Sequence, residues 1–225
     1  VTLPSLNPLD YPPRFQFGQV GAPCGGKSMC SDTCLQMMIE YWTEKVISLA
    51  TIRKISKNPD ACVGNNPTEI KRVIDYYKLP YVYYSGPTLS TIRNKAALAP
   101  VMVGVGYGKY PNKLTTCGSI KAEIGGRNDC NFRGAHLVLA IRFQNHLSLT
   151  GTILHVDAIM RDPDHGSAAR PWKPHHDKIK ATQLDVAMKA LVTDTAWTKT
   201  FAFVPTRKNS PFCCCYCNSS NTSFR

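Results

Sequence analysis

Apolar positions recur at helical spacing in the first half of the chain and in short β-rich runs in the second. From Ser31 to about Glu44, residues Cys34, Leu35, Met38, Tyr41 and Trp42 fall on or near one face, which predicts a helix. A second helical pattern covers Leu49 to Ile55. Asn66 can cap a third helix, with Pro67 at its first position and Glu69 completing a capping box. Ile70, Val73, Ile74 and Tyr77 then bury one face until Pro80 stops the helix. Tyr81 to Tyr84 reads as a short strand and Leu89 to Lys95 as a short helix. Runs at 100–106, 137–143, 152–160 and 198–204 read as strands, and 181–191 as a helix. Helices first and mainly antiparallel strands afterwards make an α+β pattern.

The organisation around this core is uneven. Pro4, Pro8, Pro12 and Pro13 exclude regular helix from residues 1–18, which form a Pro-rich arm against the body or a partner. Residues 19–208 form the domain, and 107–135 are an insertion between two strands, long enough to suggest a functional loop. Residues 209–225 are a polar tail containing Cys213, Cys214, Cys215 and Cys217.

The chain has 225 residues, 43% of them hydrophobic, which suits a globular core. No apolar run is long enough to span a membrane, and no signal-peptide pattern opens the chain. The net charge of +12 is scattered, which argues against a dedicated nucleic-acid arm and for a solvated basic surface. None of the ten cysteines shows zinc-ribbon spacing. His155, His165, His175 and His176 lack a recognisable metal pattern, so no metal or other cofactor is expected. A terminal cluster of thiols is expected to be oxidised in part, as a disulfide within the chain or to another copy.

The candidate chemistry lies where loop becomes helix. Gly25 and Gly26 keep the segment before Ser28 irregular, and Cys30 stands at the junction. First-turn amides of a helix lack intrahelical partners and carry partial positive charge, so a thiol there ionises more readily to the nucleophilic thiolate. Cys34 lies one turn further, in the apolar face, where a buried structural thiol is expected. Cys24, in the loop, is the other alternative nucleophile. His136 opens a strand and is the best-placed imidazole. Asp162, before Pro163, offers a third group at a strand end, with Asp157 a weaker choice and Asp164 a turn residue.

The stretch from Gln19 to Trp42 resembles the opening of papain-like cysteine peptidases, and most closely that of the bacteriocin-leader-processing, C39-like branch. Effector-type papain-like proteases open similarly. Cys30 takes the nucleophile position, Met37 or Met38 the buried helix position, and Tyr41 with Trp42 the closing aromatic pair. The Gly134–Ala140 run resembles the segment carrying the family's histidine, and Asp162-Pro163 through Gly166 resembles the one carrying its aspartate. The departures are Ser31 after the cysteine and Gln19 lying eleven residues before it.

The resemblance spans roughly residues 19–166. It implies a helical lobe packed on a mainly antiparallel sheet lobe, a Cys30–His136–Asp162 triad and Gln19 as oxyanion donor. The implied reaction is cleavage of a peptide, or of the peptide part of cell-wall peptidoglycan. The other expectation is a structural or interaction component, for example of a phage particle or tail, with protein partners on the arm and tail. An extracellular or virion-associated location is expected in either case, with the cytoplasm left open.

Overall fold

The computed structural model describes residues 14, 22, 28–58, 60, 62–106, 135–161, 163, 177–193 and 197–206. Almost all of the arm and of the insertion, and the whole 209–225 tail, lie outside the described residues.

Among the described residues are the helices α1 (Cys30–Thr43), α2 (Leu49–Ser56), α3 (Pro67–Tyr76), α4 (Leu89–Ala96) and α5 (Ala181–Thr193). The strands are β1 (Tyr81–Ser85), β2 (Val101–Gly106), β3 (Ala135–Leu147), β4 (Ile153–Arg161), β5 (Asp177–Lys180) and β6 (Phe201–Pro205). They form one six-stranded sheet in the order β1-β6-β2-β3-β4-β5. Every pairing in it is antiparallel. The architecture is α+β, as the sequence pattern predicts.

Side-chain alternation divides the core between the two faces of the sheet. Leu137, Leu139 and Ile141 of β3 join Met102, Phe201 and Phe203 beneath α1, α2 and α3. Val138 and Ala140 join Val101, Val103, Val105 and Val204 beneath α4 and α5. The helical lobe therefore covers one face, and the later helices close the other.

The capping box of α3 is present: Asn66 accepts from the Thr68 and Glu69 amides, and Glu69 accepts from the Asn66 amide. The helix ends at Tyr76 with Tyr77 as its C-cap, and Lys78, with φ +52, turns the chain before Pro80. Trp42 donates to the Tyr81 hydroxyl at 3.2 Å, and that hydroxyl donates to the Pro100 carbonyl at 2.7 Å. The end of α1 is thus pinned to the sheet.

Two elements differ from the sequence pattern. β3 continues past Phe143 to Leu147, so β3 and β4 form a long hairpin. β5, a short charged edge strand, carries none of the apolar alternation that marks a strand. No described helix is long and apolar enough to cross a membrane.

Candidate active site

The entry into α1 is conformationally costly. Ser28 has φ +57, the left-handed region that an L-residue with a side chain disfavours. Met29 occupies the N-cap position and makes no side-chain cap hydrogen bond. Cys30 follows as the first helical residue, half-buried and with a free thiol. The first-turn amides are therefore not taken by a capping oxygen from Met29.

Beneath Cys30 lies a buried polar brace. Asp32 is fully buried and accepts from Arg53 at 2.7 Å and from Asn65 at 2.8 Å. Arg53 comes from α2 and also donates to the Val63 carbonyl at 2.6 Å and contacts the Met29 sulfur at 3.1 Å. The Asn65 amide donates to Ser31 Oγ at 3.0 Å. Burial pushes the Asp32 carboxyl up to about 6, while the Arg53 charge and hydrogen bonds from Asn65, its own backbone and Ser31 pull the other way. Further along α1, Arg14 grips Glu40 with two hydrogen bonds of 2.8 and 2.7 Å. The first turn of α1 is thus held by residues from α2 and from the loop before α3.

The other half of the candidate site is the start of β3. His136 is its second residue and is only 4% exposed. α1 meets this point directly: Cys34 Sγ donates to the Leu137 carbonyl at 3.4 Å. Cys30 lies one turn back on the same side of α1, about 6 Å along its axis. Alternation along β3 groups His136 with Val138 and Ala140 rather than with Leu137. Across the ladder, Gly106 pairs with Ala135. A Cβ on Gly106 would stand 2.6 Å from the Ala190 carbonyl carbon, so the close approach of α5 to this corner requires glycine.

The remaining sequence candidates fall as follows. Asp162, Gln19 and Cys24 lie outside the described residues. Arg161, immediately before Asp162, is buried and pairs with Leu139, three residues along β3 from His136. Cys34 is fully buried, as its place in the apolar face predicts, and is spoken for by the Leu137 carbonyl. Asp157 is not a partner of His136. It pairs with Gln144, far along β3, and lies 2.9 Å from His146. Cys62 is disulfide-bonded.

Sequence reading missed the group around Asp157. His146 and His155 face one another across the β3–β4 hairpin, and Asp157 lies beside both. The sole signal for it is the strand register, which a pattern ending β3 at Phe143 hides.

No family model matches the chain, and no curated protein does. A crystal structure described as a candidate C39-like peptidase from Bacillus anthracis superposes over 88% of this chain and 96% of its own, with TM-score 0.51 and 14% identity. The fold is that of a C39-like peptidase. At that identity the likeness concerns the fold alone. The peptidase domain of Streptococcus ComA, described as a bi-functional ABC transporter involved in a quorum-sensing pathway, aligns over 87% of this chain and 99% of its own. Its TM-score is 0.43 at 15% identity, too loose to carry an argument.

Proposed function

We propose that the chain is a papain-like cysteine peptidase or amidase with Cys30 as nucleophile and His136 as its base. The observation that carries this reading is the contact of Cys34 Sγ with the Leu137 carbonyl at 3.4 Å. It joins α1, one turn from Cys30, to β3, one residue from His136. Alternation groups His136 with the face of β3 away from α1, so in this reading the imidazole reaches Cys30 around the end of the strand.

In this reading His136 takes the thiol proton and the Cys30 thiolate attacks the carbonyl of a peptide bond. The tetrahedral oxyanion is held by the Cys30 backbone amide together with Gln19. His136 then gives the proton to the departing amine, leaving a thioester that water hydrolyses. Asp162 holds the imidazole in the required tautomer. The register supports it, because β4 runs antiparallel to β3 and its last residue, Arg161, pairs with Leu139, three residues from His136. The substrate is a peptide or the peptide of peptidoglycan. The disulfide at Cys62 supports a place outside a reducing cytoplasm. A particle component would draw on the arm and tail, and no described contact favours it.

The test is to incubate the reduced-thiol protein with a proteome-derived peptide library and with purified peptidoglycan, reading new termini by mass spectrometry. Cleavage should fall at least about a thousandfold in Cys30→Ala and in His136→Ala. Cleavage that survives Cys30→Ala assigns the nucleophile elsewhere. An intact protein that cleaves neither substrate contradicts the proposed activity.

A further inference from the structure

The far end of β3 carries a second cluster of reactive side chains, independent of the proposed peptidase chemistry. His146 on β3 stands directly opposite His155 on β4. Asp157 is two residues beyond His155 and so projects from the same face of the sheet. Their ligand-capable atoms all lie within 4.8 Å of one another. His146 Nε2 is 2.9 Å from one Asp157 oxygen, and His155 Nε2 is 3.8 Å from the other. The two rings are stacked at 4.1 Å with their planes within 9°.

We propose that His146, His155 and Asp157 form a binding site for one zinc-class divalent ion. Two imidazoles and one carboxylate are a borderline donor set of the kind such ions take. Tetrahedral bonds of about 2.0–2.2 Å place neighbouring donors about 3.3–3.5 Å apart. The 2.9 and 3.8 Å separations run to different oxygens of Asp157, so closure on one carboxylate oxygen requires the stacked rings to open and the carboxylate to turn. Both rings can turn, since the side chains of His155 and His146 are 46% and 32% exposed, whereas that of Asp157 is more buried, at 11%. The two strands fix the spacing of all three ligands, so the site is largely prepared before an ion arrives.

Three protein ligands leave the fourth position open. Lys178 and Lys180 of β5 pair with Ile159 and Asp157 and lie on the same face. The Lys178 ammonium is 3.9 Å from Asp157 and half-exposed, so it competes with a cation and must swing away. The same lysines favour an anionic or hydroxide fourth ligand. Ten residues of strand separate His146 from His136, roughly 30 Å. The ion therefore clamps the hairpin and takes no part in chemistry at Cys30.

The experiment is calorimetric titration of the full chain with Zn2+, paired with the visible spectrum of Co2+ in its place. One ion should bind with micromolar or tighter affinity, and the Co2+ spectrum should show nitrogen and oxygen ligands without thiolate charge transfer. His155→Ala should weaken binding at least about tenfold. That residue is exposed enough for the variant to fold. Lys178→Ala should tighten binding severalfold, a response that a merely structural histidine pair would not give. Affinity weaker than millimolar, a thiolate-ligated Co2+ spectrum, or binding unchanged in His155→Ala overturns the proposal. The cysteines, or the histidines near residue 175, would then be the ion's ligands.

Discussion

The two ends of β3 hold histidines of opposite kind. At the start, His136 is buried, α5 closes over the neighbouring strand, and α1 docks on the backbone beside it. At the far end, His146 sits on the β3–β4 hairpin, half-exposed and stacked on His155. The same residue type on one strand is thus set to two tasks by what packs around it. Rigidity is supplied at the near end by helices and a buried ion pair. At the far end the ladder supplies most of it, with one exposed hydrogen bond from Arg93 of α4 to Asn145 at 2.8 Å.

The comparison breaks most readily at the Asp32–Arg53 pair. Asp32→Ala leaves the Arg53 guanidinium buried without its counter-charge, and should cost about 3–5 kcal/mol in urea denaturation at pH 7. Asp32→Asn isolates the charge. The Asp32 carboxyl is raised from 3.8 to about 6, so between those values the folded state keeps a proton that the unfolded state has released. Stability from this group therefore falls as pH rises from about 4 to about 6 and levels above. The stability of the parent protein relative to Asp32→Asn should decline over that window. A difference independent of pH would show that Arg53 and the hydrogen bonds cancel burial, and one that rises with pH that they outweigh it.

Two glycines sharpen the contrast further. Gly106→Ala drives a methyl into the Ala190 backbone at 2.6 Å and should cost about 1–3 kcal/mol. Gly151, in the hairpin turn, has open space around it and is constrained only by its φ of +80. Gly151→Ala should cost about 1 kcal/mol. Chemical denaturation of both variants ranks them, and equal costs would mean that the near corner yields as easily as the hairpin.

The sequence made the capped helix α3 and the apolar strands legible because their residues satisfy local rules: a cap, a period, a stop. The all-round burial of α1 was not legible. Ser31, Asp32, Gln36 and Glu40 are polar, and pattern reading places polar positions in water. They are buried because Arg53, Asn65, the Ile47 carbonyl and Arg14, all distant in sequence, satisfy them. The nucleophile candidate and the histidine were visible as a helix start and a strand start. Asp157 shows the limit of such reading, since strand pairing sends it to His146 rather than to His136.

The most direct test of the central claim is the rate at which iodoacetamide alkylates each cysteine of the native protein at pH 6, followed by peptide mass spectrometry. Cys30 should react first and Cys34, fully buried, should not react until the protein unfolds. His136→Ala should slow Cys30 on the order of tenfold or more, because the thiolate loses its imidazolium partner. Cys30 reacting no faster than Cys34, or at the same rate with and without His136, would contradict the pairing of these two residues.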